Sequence, residues 1–127
     1  MSTLERIHTD EAPAAIGPYA QAVVAGGFVY TSGQIAIHPE TGNLVQDSFE
    51  AEVGRVFDNL EAVLRAAGTS LARVVKASIY VTDLDRFQVL NRIYAERMGD
   101  ARPARSTVQV ARLPKGARVE IDMVAVA

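Results

Sequence analysis

The stretch from 48 to 67 constrains the fold more than any other part of this chain. Phe49, Val53, Val56, Phe57, Leu60, Val63, Leu64 and Ala67 recur at steps of three and four, which on a helix of 3.6 residues per turn makes one apolar stripe. Asp47 with Glu50 three residues on has the form of a capping box. Gly68 supplies the stop, since glycine readily takes the left-handed conformation that ends helices. A helix with a single apolar stripe must lie on something. A shorter stripe, Phe87, Leu90, Tyr94 and Met98, follows a capping Asp83 and ends at Gly99.

The remaining extended runs are strand-like. Residues 20–25 and 28–37 flank Gly26-Gly27, a hairpin-type turn. Residues 73–82 are rich in β-branched side chains, and 104–111 and 118–126 are separated by Leu113-Pro114-Lys115-Gly116. Residues 1–19, broken by Pro13, Gly17 and Pro18, are expected to be irregular, and 38–43 to form a loop. The order is β-β-α-β-α-β-β. Two helices cannot cover both faces of a sheet of about six strands. The expected class is therefore α+β, a mixed sheet with both helices on one face, in a single domain 1–127.

Alternation assigns the faces. Val75, Ala77, Ile79 and Val81 should meet the helices, leaving Val74, Lys76, Ser78, Tyr80 and Thr82 on the far side. In the last strand Val119, Ile121, Met123 and Ala125 match the apolar set, while Glu120, Asp122, Val124 and Val126 point away. A solvated face rarely carries Val124 and Val126 beside Phe28 or Tyr30. This mixed face is expected to be a subunit interface with polar pockets along its edge.

Several chemistries are set aside on the residues. The 13 basic and 15 acidic residues leave a net charge of −2 with no basic stripe, so nucleic acid is not an expected partner. There is no cysteine, hence no disulfide or thiolate chemistry. His8 and His38 form no metal-binding pattern. Ser32 is outside any Gly-x-Ser-x-Gly elbow, and no Gly-rich phosphate loop occurs. With no apolar run of about 18–20 residues and no secretory leader pattern at the N-terminus, the protein is expected to be cytoplasmic and off the membrane.

What remains is a pair of charges. Arg105 sits in a run of small and β-branched residues, and Glu120 interrupts the apolar C-terminal run across the turn. An arginine on a rigid element can grip a carboxylate through two parallel hydrogen bonds, and a glutamate nearby could handle a water or a proton. The bland alternative is an ion pair between adjacent strands, worth about 0–1 kcal/mol. Ser32-Gly33 adds a further sign, because glycine inside a strand often marks close backbone approach. Tyr19 follows Gly17-Pro18, a rigid lead-in that would fix where its hydroxyl points.

Four segments in order, Ala14-Ala15-Ile16-Gly17-Pro18-Tyr19, Thr31-Ser32-Gly33-Gln34-Ile35, 76–84 and 103–122, resemble the RidA (YjgF/UK114) family of enamine and imine deaminases. The resemblance runs from about residue 13 to the end. It implies a chorismate mutase-like fold and a homotrimer with sites in the clefts between subunits. It also implies hydrolysis of reactive 2-iminoacids (2-iminobutanoate, 2-iminopropanoate) to 2-oxoacids and ammonia, a metabolite damage-control role needing no cofactor and no metal.

By the same resemblance Arg105 binds the substrate carboxylate and Glu120 positions the attacking water and moves its proton. Tyr19 enters the cleft, Ser32 and Gly33 offer backbone to the ligand, and Asn91 lines the pocket. Thr107 stands where many relatives carry cysteine, its backbone meeting the water. Members lacking the arginine are not imine deaminases, so the alternative is a non-catalytic ligand-binding or chaperone-like protein. A ribonuclease is not supported by the acidic balance.

Overall fold

The structure, a computed structural model, describes residues 3–127, so Met1 and Ser2 lie outside the described residues. Its elements are β1 (Glu5–Ile7), β2 (Ala22–Ala25), β3 (Phe28–Thr31), α1 (Phe49–Ala66), β4 (Val74–Val81), α2 (Phe87–Met98), β5 (Ala104–Gln109) and β6 (Val119–Val126). The strands form one sheet in the order β1-β2-β3-β6-β4-β5. Every pairing is antiparallel except β4 with β5, where α2 makes the crossover that parallel strands require. The fold is the mixed α+β architecture expected, with strands and helices in the expected order.

One strand precedes that order. Glu5–Ile7, inside the segment expected to be irregular, pairs with the outer edge of β2. Three residues carry no readable alternation, so only the free edge of β2 reveals it. The cap of α1 also differs. Ser48, not Asp47, is the N-cap, its hydroxyl accepting from the Ala51 N–H at 3.0 Å. The stripe itself is as expected: Val53, Val56, Phe57 and Leu60 are fully buried in one core with Val29, Ile79 and Ile121.

Two buried polar side chains lock α1 in place. Asn59 donates to the carbonyls of Ile35 and Ile37. Glu52, 0% exposed, accepts from the Arg118 backbone N–H at 2.7 Å and from its Nε at 2.6 Å. Both tie the helix to the segments that flank Glu120.

In β6 the alternation is as expected, with Val119, Ile121, Met123 and Ala125 buried. In β4 it breaks at the start. Val74 is buried and Val75 is 42% exposed, because a bulge between Val74 and Lys76 adds a residue against β6 and reverses the phase. From Ala77 onward the expected set faces the helices. The open face carries Phe28 and Tyr30 level with Val126 and Val124, then Tyr80 level with Glu120. No helix among the described residues is long and apolar enough to cross a membrane.

Candidate functional site

Arg105 is placed by the parallel pairing of β5 with β4. It stands level with Ala77, and Thr107 with Ile79. Both partners face the helices, so these two side chains point beneath α2. There Phe87, Asn91 and Tyr94, spaced four and three apart, form one line on the helix. Asn91 Oδ1 accepts from Arg105 Nη1 at 2.7 Å. The guanidinium carbon is 4.7 Å from the centre of the Tyr94 ring and 5.5 Å from that of Phe87, within cation–π range. Among the described residues no carboxylate pairs with Arg105. A held cation with donors to spare is suited to an anion brought from outside.

The hydroxyls of Thr107 and Tyr94 are buried close by without a hydrogen-bond partner. Burial pushes the Tyr94 hydroxyl above the usual tyrosine range, and the charge of Arg105 pulls it part of the way back.

Glu120 belongs to a different face. β6 turns it away from the helices, into a cavity of about 510 Å³ that Ile16, Tyr19, Gly33, Gln34 and Pro114 also line. The β3 strand ends at Thr31 and the chain rejoins β6 at Gln34, which exchanges backbone hydrogen bonds with Ile121 at 2.9 and 3.1 Å. Gly33 therefore passes directly over Glu120. A Cβ there would stand 2.8 Å from the Glu120 carboxyl carbon and 3.1 Å from its Cγ. A side chain here would displace the Glu120 carboxyl, a more specific reason for glycine than an open pocket.

Loss of water raises the Glu120 carboxyl above its usual 4.5, and the negative charge of Asp122 adds to the effect. Asp122 is raised as well by burial, with Tyr80, Ser78 and Lys76 opposing. Tyr80 is raised chiefly by Asp122. A carboxylate that holds its proton more tightly than usual is a better base once ionised.

The candidate residues thus fall into two groups. Arg105, Asn91 and Thr107 gather under α2, while Tyr19, Gly33 and Glu120 share the cavity on the other side. Ser32 joins neither: its hydroxyl donates to the Ala20 carbonyl at 2.6 Å and its N–H to the Gln21 carbonyl, which stitches the loop to the start of β2. The adjacency of the Arg105 and Glu120 strands is corrected, since β4 lies between β5 and β6. Within one chain an Arg105–Glu120 ion pair is ruled out by topology. Phe87 and Tyr94 were legible only as packing residues of the second stripe. Their spacing to Asn91 was the available signal.

The chain matches the family model described as Endoribonuclease L-PSP over residues 9–127. It is 44% identical over 121 residues to a RutC family protein of Pyrococcus abyssi, covering 95% of each chain. To the 2-iminobutanoate/2-iminopropanoate deaminase of Bos taurus it is 43% identical over 128 residues, 99% of this chain and 93% of that one. The solved structure of E. coli TdcF with bound serine superposes with a TM-score of 0.91 at 39% identity, covering 97% of this chain and 98% of that one. With the match spanning nearly all of the sequence and the fold the same, the chain belongs to the Endoribonuclease L-PSP family, that of the RidA and YjgF proteins.

Proposed function

We propose that this protein hydrolyses small 2-iminoacids, 2-iminobutanoate and 2-iminopropanoate among them, to 2-oxoacids and ammonia. The observation that carries the reading is Arg105, a guanidinium oriented by Asn91 yet matched to no carboxylate among the described residues. The relative from Bos taurus is named for this reaction, and TdcF holds serine, a small 2-amino acid.

The site is proposed to form between subunits of a homotrimer, with the Arg105 group of one chain facing the Glu120 group of the next. The apolar part of the open face, Phe28, Tyr30, Val124 and Val126, would be covered in that assembly. Arg105 holds the carboxylate and so fixes the imine carbon beside Glu120. An enamine substrate first tautomerises to the imine. As the water oxygen bonds to the imine carbon, Glu120 takes the water's proton and returns it to the nitrogen. Glu120 then carries the hydroxyl proton of the carbinolamine to its nitrogen, the C–N bond breaks as the C=O bond forms, and ammonia leaves the 2-oxoacid. Every proton in this sequence comes from water or substrate, so no cofactor enters. The product pair and the reactive substrate fit metabolite damage control in the cytoplasm.

The test is a coupled assay in which a pyridoxal-phosphate dehydratase generates 2-iminobutanoate. Faster release of 2-oxobutanoate on adding this protein is the expected result. Oxoacid binding without acceleration would favour a non-catalytic binder. A ribonuclease, as the family description words it, would call for a basic RNA-binding surface, which the balance of 13 basic to 15 acidic residues does not favour.

A further inference from the structure

We propose that Phe87 and Tyr94 are positioning residues for Arg105, two rings of α2 that hold its guanidinium in one orientation before any ligand arrives. The inference rests on the deaminase reading for its kinetic consequence, though not for its geometry. Arg105 lies on β5, the last strand of the sheet, and its side chain is only partly buried. A long side chain so placed would ordinarily sample many rotamers, and ordering it would weaken carboxylate binding. Three contacts oppose that freedom. Asn91 holds Nη1 at 2.7 Å, Tyr94 presents its ring 4.7 Å from the guanidinium carbon, and Phe87 presents another at 5.5 Å.

The Tyr94 ring is itself packed in place. It is 9% exposed and packs edge-on against Phe57, with centroids 6.0 Å apart and planes at 71°. Its hydroxyl has no hydrogen-bond partner, so the ring and not the hydroxyl accounts for the contact with Arg105. Faces of π-electron density attract a cation without using any of its N–H donors. Those not held by Asn91 stay available to a carboxylate, which an ion pair with an acidic side chain would have consumed.

The experiment compares Tyr94→Phe, Tyr94→Leu and Phe87→Leu with wild type, using two readouts. The first is ¹⁵N relaxation of the Arg105 Nε–Hε group in the ligand-free protein. Wild type and Tyr94→Phe should be rigid there, and both leucine variants mobile. The second is the coupled 2-iminobutanoate assay. Tyr94→Leu should raise KM by about fivefold to tenfold, the range that a partly desolvated cation–π contact supports. Its kcat should stay within about twofold, as expected when an interaction common to ground and transition states is lost. Should Tyr94→Leu fail to fold, Phe87→Leu carries both readouts. Arg105 remaining rigid in the leucine variants would overturn the proposal, as would Tyr94→Phe behaving like Tyr94→Leu. A wild-type protein without activity would remove the deaminase reading instead, and the relaxation data would still decide the positioning role.

Discussion

Arg105 and Glu120 point to opposite sides of one sheet. Arg105 is level with Ala77, which is buried against the helices, and Glu120 is level with Tyr80 on the open face, with β4 separating their strands. Two strand spacings and a three-residue offset put their backbones on the order of 14 Å apart. A site using both must draw them from different chains.

Subunit complementation follows. If the site is shared as proposed, Arg105→Ala and Glu120→Gln proteins should each be nearly inactive, and the two unfolded together and refolded as a 1:1 mixture should recover activity. Random assembly makes about a quarter of the interfaces fully wild type, so about a quarter of wild-type turnover is expected. Activity no higher than that of the separate variants, in a mixture shown to exchange subunits, would contradict a shared site.

Arg105→Ala should lower kcat/KM by at least about tenfold to a hundredfold, the equivalent of a lost charge-assisted hydrogen bond of about 1.5–3 kcal/mol. Arg105→Lys should recover little, because an ammonium cannot match the planar fork. Circular dichroism should show both variants folded. Wild-type turnover in Arg105→Ala would remove the carboxylate-binding role.

Gly33→Ala should impair turnover by displacing the Glu120 carboxyl, at small cost in stability because what must move is the far end of a flexible side chain. In a Glu120→Ala background the added methyl no longer meets a carboxyl and should change neither Tm nor rate. That non-additivity is the check. Equal effects in both backgrounds would mean that Gly33 is needed for another reason.

The raised pKa of Glu120 has two consequences with opposite pH trends. As the proposed base it must be ionised, so turnover should fall as pH drops through its folded-state pKa, above the usual 4.5. For stability, a raised folded-state pKa means that the fold prefers the protonated form. The stabilising contribution is full below 4.5 and is lost as pH rises through the folded value. Glu120→Gln should therefore melt higher than wild type at pH 7, and the gap should close as pH falls below 4.5. A lower Tm for the glutamine variant at pH 7 would show that Glu120 is held by favourable contacts instead.

Arg118→Ala should destabilise the fold by about 3 kcal/mol, because it leaves the buried Glu52 with an uncompensated charge. Glu52→Gln should cost less, since the amide oxygen can still accept from the Arg118 N–H. Urea denaturation measures both. Equal losses would mean that the ion pair matters less than the backbone hydrogen bond.

The sequence by itself determined the two helices, most of the strands and the face of β6 that carries Glu120. These features rest on local periodicity, which a stripe such as Val53 to Leu60 or the alternation of Val119 to Ala125 states outright. It also contained Arg105, Glu120 and Gly33 as the residues worth watching. The strand order was decided only in three dimensions. Whether β5 lies beside β6 or beyond β4 depends on long-range hydrogen bonds and the α2 crossover, and nothing in either strand's own residues encodes it. The bulge at Val74–Lys76 escaped for the same reason, being a mismatch between two strands. The division of the candidate site came from that strand order. Neighbours along the chain, joined by one turn, became residues on opposite faces of a sheet, and Phe87 and Tyr94 became the surroundings of Arg105.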